Sequence, residues 1–119
     1  MTILVVDDSS VMRKIVARSI RQAGYGHHDV EQAEDGQDAL EKIRESCPDI
    51  VLCDWNMPRM NGIELVKALR EEGIQVPFGF VTSESTAEQR SQGLGAGAAF
   101  LLSKPFTADD LAEQLDKFL

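Results

Sequence analysis

Short apolar runs alternate along this chain with longer segments of helical periodicity. Ile3-Leu4-Val5-Val6 is a β-branched-rich run that stops at Asp7-Asp8, and it reads as a buried first strand. From Ser10 to Ala23 the positions Met12, Ile15, Val16, Ser19, Ile20 and Ala23 recur at helical spacing, and Gly24 closes the segment. Asp29 to Ala33 is a weaker second strand centred on Val30. Gln37 to Ser46 is helical through Ala39, Leu40 and Ile43, ended by Pro48. Ile50-Val51-Leu52-Cys53, apolar at every position, is a third strand. Ile63, Leu65, Val66 and Leu69 mark a third helix, with Asn61 and Glu64 at capping-box spacing. Pro77 to Val81 predicts a fourth strand, and Ser85 with Glu88 a capping box opening a fourth helix. Gly93, Gly95 and Gly97 crowd the end of that helix. Each interior glycine costs about 1 kcal/mol relative to alanine, so the element is expected to be short or frayed. Phe100-Leu101-Leu102 is the fifth strand, and Thr107 with Asp110 caps a last helix carrying Leu111, Leu115 and Phe118.

Strands alternating with helices, several of them apolar throughout, specify a parallel sheet covered on both faces. The predicted fold is a single α/β domain over residues 1–119, a doubly wound five-stranded parallel sheet in the order 2-1-3-4-5 with five helices. In such sheets the ligand site lies at the carboxyl ends of the strands, beside the point where the strand order reverses.

Composition narrows the function. The chain has 119 residues, 43% of them apolar and 27% charged, which suits one folded domain rather than a disordered or fibrous segment. Twenty acidic residues against 12 basic ones give a formal charge of -8. That surface repels phosphate backbones and anionic lipid, so neither nucleic acid nor membrane is expected as a partner. Two cysteines, Cys47 and Cys53, are too few for a disulfide scaffold, and no apolar run approaches the roughly 20 residues that span a bilayer. With no leader at the N-terminus, a cytoplasmic location is expected.

The chemistry collects at the predicted carboxyl ends. Strand one ends at Asp7-Asp8, strand three at Asp54, strand four at Thr82-Ser83 and strand five at Lys104-Pro105. Three carboxylates, a hydroxyl and an ammonium therefore share one rim. Crowded carboxylates need protons or a cation, and a small set of hard oxygen ligands suits Mg²⁺. A carboxylate beside that cation is a competent nucleophile towards phosphorus, with Lys104 and Thr82 placed to hold phosphoryl oxygens. The residues describe a metal-assisted phosphoryl acceptor.

Asp7-Asp8, the string Asp54-Trp55-Asn56-Met57-Pro58 followed by Asn61-Gly62, Thr82, and Lys104-Pro105-Phe106 together resemble the receiver domain of bacterial response regulators. The resemblance runs the length of the chain and is strongest to the chemotaxis members of that family. It implies a flavodoxin-like fold, Asp54 as the phosphoryl acceptor, and direct ligation of Mg²⁺ by Asp8 and Asp54. It further implies Asp7 acting near the metal, the backbone carbonyl of Asn56 as another ligand, and Thr82 and Lys104 in contact with phosphate. Asn56 and Glu84 would flank the phosphoryl group and tune its hydrolysis, and the Lys104–Pro105 bond would be cis. The domain would catalyse its own phosphorylation and dephosphorylation, acting as a switch instead of a turnover enzyme. Implied partners are a histidine kinase or histidine phosphotransfer protein and a downstream target, with the flagellar motor or a kinase array the leading choice. Both a stand-alone regulator and a receiver excised from a longer protein fit. The expected switch and output positions are Ser83, Glu84, Leu101 and Pro105.

Receivers usually carry Tyr or Phe three residues before the lysine, where this chain has Leu101; Phe100 beside it faces the other side of the strand. Two rival functions share part of the pattern. A haloacid dehalogenase-like phosphatase also uses an aspartate nucleophile but wants a second Asp where Asn56 stands. A partner-binding pseudo-receiver usually lacks part of the acidic set that is complete here. Elsewhere, Trp55 reads as a partly exposed loop residue, Cys53 as a core residue, and His27-His28 as an exposed turn. Arg13, Lys14, Arg18 and Arg21 form a basic stripe on the first helix, placed either to pair with Asp38, Glu41 and Glu45 of the next helix or to dock the phosphodonor.

Overall fold

The computed structural model describes residues 1–83 and 85–119. Its strands are β1 (Thr2–Val6), β2 (Asp29–Ala33), β3 (Ile50–Cys53), β4 (Phe78–Thr82) and β5 (Phe100–Ser103). Its helices are α1 (Ser10–Ile20), α2 (Gly36–Glu45), α3 (Gly62–Glu71), α4 (Ala87–Ala96) and α5 (Ala108–Leu115). All strand pairs are parallel, and the order is β2-β1-β3-β4-β5, as expected.

Strand alternation divides the core in two. Leu4, Val6, Val51, Cys53, Phe78, Phe80 and Leu101 point to the face covered by α2, α3 and α4. Ile3, Val5, Ile50, Leu52, Val81 and Phe100 point to the other, beneath α1 and α5. Phe78, Phe80, Ile50, Leu65 and Leu111 are fully buried, each contributing about 1.5–3 kcal/mol of transfer free energy. On the α1/α5 face Gly79 makes room for Phe100, whose ring occupies the space a β-carbon would need, and Phe100 stacks on Phe118 with centroids 6.0 Å apart.

The helix boundaries hold two departures. Helix α1 stops at Ile20 and continues as a wider π-type turn, Arg21–Tyr25, in which Gly24 adopts φ 99°. The fourth helix is capped one residue later than expected. Thr86 and Gln89 make the reciprocal capping box, and Ser85 and Glu88 do not. Helix α4 is neither short nor broken by its glycines. It runs ten residues and ends at Gly97, whose left-handed φ of 116° supplies the C-cap. Gly93 lies inside it because a β-carbon there would press on Phe80 and Trp55.

Candidate functional site

Asp7 and Asp8 follow β1, Asp54 follows β3, Thr82 ends β4 and Lys104 follows β5, so the five expected site residues stand along the carboxyl edge of the sheet. The backbone sets their heights. The Asp54 N–H donates to Val6 O at 2.9 Å, the Asp7 N–H to Ala33 O at 3.1 Å, and the Lys104 N–H to Thr82 O at 2.7 Å. Ligand oxygens of Asp7, Asp8 and Asp54 all lie within 4.8 Å of one another, with Asp7 buried, Asp54 half-buried and Asp8 exposed.

The ammonium of Lys104 sits inside this cluster, 3.2 Å from Asp7 Oδ2 and 3.8 Å from Asp54 Oδ1. Asp7 Oδ1 also accepts from the Ser9 N–H at 2.9 Å, and Asp54 Oδ1 from the Trp55 N–H at 2.8 Å. Burial pushes the Asp54 carboxyl above its ordinary pKa. Lys104 opposes the rise, while the charges of Asp7 and Asp8 add to it. One lysine against three carboxylates leaves excess negative charge, and all the donors are hard oxygens. That donor set fits a small divalent cation such as Mg²⁺.

Around the cluster, Asp8, Asn56, Met57, Pro58 and Asn61 line a cavity of about 350 Å³. Thr82 is 1% exposed, Ser83 and Pro105 are exposed, and the Lys104–Pro105 peptide is cis. Leu101 lies in the core with Phe80, on the face opposite Phe100, as alternation requires. Glu84, expected as a switch position, lies outside the described residues.

Three expectations near the site need correction or completion. Trp55 is not a partly exposed loop residue: it is only 8% exposed, with its ring against Phe80 and Gly93. The basic residues of α1 do not pair with Asp38, Glu41 or Glu45, because α1 and α2 cover opposite faces of the sheet. Asp38 pairs instead with Lys42, and among the described residues Lys14, Arg18 and Arg21 have no ion-pair partner. Arg13 was missed as a site neighbour. Its guanidinium donates to the Asp7 carbonyl at 2.7 Å and to Gln32 Oε1 at 3.0 Å, and the sequence signal was its place one turn after the N-cap Ser9. Cys53 is a core residue, as expected.

This set of residues on this topology is that of a phosphorelay switch domain. The chain belongs to the response regulator receiver domain family, whose profile matches residues 3–116. Members of this family are signalling switches rather than classical enzymes, and they bind Mg²⁺ through an acidic pocket of this kind. The chain is 42% identical over 119 residues to chemotaxis protein CheY-3 of Vibrio cholerae, covering 98% of this chain and 90% of that protein. It is 38% identical over 122 residues to chemotaxis protein CheY1 of Helicobacter pylori, covering 100% of this chain and 97% of the relative. Among solved structures it is similar to Vibrio cholerae CheY4, with 36% identity, a TM-score of 0.87, and coverage of 99% and 98% of the two chains. A Francisella response regulator receiver domain superposes with a TM-score of 0.88 at 30% identity, covering 98% of this chain and 94% of that one. Among the described residues no helix is long and apolar enough to cross a membrane.

Proposed function

We propose that this chain is a CheY-like phosphoryl acceptor, a domain spanning residues 1–119. Asp54 would take a phosphoryl group from a histidine kinase or histidine phosphotransfer protein in the cytoplasm. An oxygen of the Asp54 carboxylate attacks phosphorus. The P–N bond of the donor's phosphohistidine breaks, and the imidazole keeps the electron pair and is protonated. Hydrolysis reverses the state: water attacks phosphorus, the acyl phosphate P–O bond breaks, and the carboxylate is restored.

Asp7, Asp8, Asp54 and the backbone carbonyl of Asn56 would hold Mg²⁺, which when bound neutralises charge on the transferring phosphoryl group. The Lys104 ammonium, already between Asp7 and Asp54, meets a second phosphoryl oxygen, and the Thr82 hydroxyl donates to a third. The single observation that carries this reading is the cluster Asp7, Asp8 and Asp54 with Lys104 inside it. Intact mass after incubation with acetyl phosphate tests it. One phosphoryl adduct that needs Mg²⁺ and vanishes in Asp54→Asn supports the acceptor. No adduct, with beryllofluoride also failing to perturb Trp55 fluorescence, would leave a partner-binding pseudo-receiver.

Docking of the phosphodonor is best supported at α1. Met12, Ile15, Ser19, Ser83, Lys104, Pro105 and Phe106 line an apolar hollow of about 430 Å³ that opens beside the acidic cluster. Val11 and Ile15 are exposed at its border, and Lys14 and Arg18 stand nearby on the same helix. An apolar centre with a cationic rim on an otherwise acidic protein suits a helical donor with an acidic margin. The downstream target is proposed from the chemotaxis relatives: a flagellar motor component or a kinase array, with Ser83, Glu84, Leu101 and Pro105 as candidate switch and output positions.

A further inference from the structure

Arg59 is the one non-glycine residue with positive φ among those described, at 66°. An L-residue with a long side chain adopts that region only when something else holds it there. The tight turn closed by the Met60 N–H on Pro58 O, with Arg59 at its centre, sets that backbone, and the Arg59 side chain, 66% exposed, reaches from it to Asp35. The Arg59 guanidinium lies 2.6 Å from Asp35 Oδ2 and 3.4 Å from Glu34 Oε1. Asp35 is the N-cap of α2, its side chain 2% exposed, with Oδ1 accepting from the Asp38 N–H at 2.8 Å. Its Oδ2 makes no well-aligned hydrogen bond among the described residues, and the Arg59 guanidinium beside it balances the buried charge.

A second contact runs beside the first. The Gly36 N–H donates to Met60 O at 3.1 Å, and a β-carbon on Gly36 would sit 2.4 Å from that oxygen, so the loop lies directly on the start of α2. The same loop is closed at its base by the Gly62 N–H on Trp55 O at 3.0 Å and tightened by the Met60 N–H on Pro58 O at 2.7 Å. The excursion from Asn56 to Asn61 is thus fixed at its root by β3 and at its tip by α2. Asn56 and Asn61, with Asp8, line the cavity beside the acidic cluster.

We propose that Asp35 and Arg59 are positioning residues for the cation site: their ion pair clamps the 56–61 loop so that the Asn56 carbonyl is presented to the metal. This rests on the Mg²⁺ reading given above. Neither side chain touches the reacting atoms; each acts through the loop, as outer-shell partners of metal ligands do.

The test compares wild type with Arg59→Gly, Asp35→Asn, the double variant and Arg59→Lys. Glycine suits the positive φ and asparagine is as good an N-cap as aspartate, so the double variant keeps the backbone and the cap and leaves no orphaned charge. Mg²⁺ is titrated through Trp55 fluorescence, and amide exchange of residues 56–61 is followed without metal. The expected result is a roughly tenfold weaker Mg²⁺ affinity in each single variant, no further loss in the double, and partial recovery in Arg59→Lys. Loop exchange should rise in Arg59→Gly even without metal. Variants with wild-type affinity and wild-type loop exchange would overturn the proposal. If wild type itself shows no response to Mg²⁺, the metal reading fails, and faster or unchanged loop exchange still decides whether the clamp exists.

Discussion

The indole of Trp55 packs on the ring of Phe80, centroids 4.6 Å apart and tilted 42°, and its outer edge closes on Gly93 of α4. The same residue's N–H holds Asp54 Oδ1. One side chain and its own amide thus join the acidic cluster to α4. Leu101, the position where the family resemblance puts an aromatic residue, lies in the same core cluster, and the aromatic contact with α4 is made by Trp55. The arrangement exists because Gly93 has no side chain.

Gly93 and Gly95 therefore respond oppositely to substitution. A β-carbon at 95 meets nothing within 4 Å, whereas at 93 it would stand 3.1 Å from Phe80 Cε2 and 3.3 Å from Trp55 Cζ3. Gly95→Ala is expected to stabilise by about 1 kcal/mol through helix propensity alone. Gly93→Val is expected to destabilise by about 1–3 kcal/mol through overpacking and to shift Trp55 emission. Urea melts followed by far-UV dichroism check both.

The strands were legible because each is a compact apolar run. Asp7, Asp8, Asp54 and Lys104 were legible because they interrupt those runs at the carboxyl ends. What the sequence hid depends on distant neighbours. Trp55 follows a carboxylate and begins a loop, and only Gly93, far along the chain, makes its burial possible. The α4 cap was misplaced by one residue because Ser85-Thr86 and Glu88-Gln89 offer two overlapping capping boxes, and local spacing does not choose between them. The ion pairs considered between α1 and α2 fail for a topological reason: these two helices, though consecutive in sequence, cover opposite faces of the sheet.

Tyr25 offers a clean test of a contact that joins the two ends of the α1/α5 layer. Its hydroxyl donates to Asp116 Oδ1, which holds the phenolic proton and raises the pKa from 10.0 to about 12, with burial adding to the effect. A group whose folded pKa is raised contributes stability below its unfolded pKa, and that contribution fades as pH climbs through the folded one. The stability difference between wild type and Tyr25→Phe should therefore be full below pH 10 and shrink between 10 and 12. Tyr25 is the only tyrosine, so tyrosinate absorbance reports it alone. The midpoint is expected near 12 in the folded protein and nearer 10 in Asp116→Asn.

Asp54 is expected to be a liability to the metal-free fold. Burial and the charges of Asp7 and Asp8 disfavour its ionised form more than Lys104 favours it. Asp54→Asn keeps the shape and removes the charge, so without divalent metal the variant should melt at a higher temperature than wild type at neutral pH. Added Mg²⁺ should raise the Tm of wild type and leave the variant nearly unchanged. Thermal melts with and without Mg²⁺ read both effects, and a variant less stable than wild type in metal-free buffer would count against the electrostatic account.

The basic residues of α1 bear on partner choice. Arg18 and Arg21 are exposed and have no ion-pair partner among the described residues, and Arg18 lies on the helix that borders the apolar hollow beside Lys104. Neither side chain holds the fold together, so replacing both by Glu should change stability by less than about 0.5 kcal/mol. The reversal should instead slow association with a phosphodonor protein, since rim charges act chiefly on the encounter rate. Phosphotransfer from the donor is expected to fall about tenfold at low salt, with the difference narrowing as ionic strength screens the charges. Labelling by acetyl phosphate should remain at the wild-type rate, because a small donor needs no docking surface. Equal slowing with both donors would place the effect in the acidic cluster itself and remove α1 from the recognition surface.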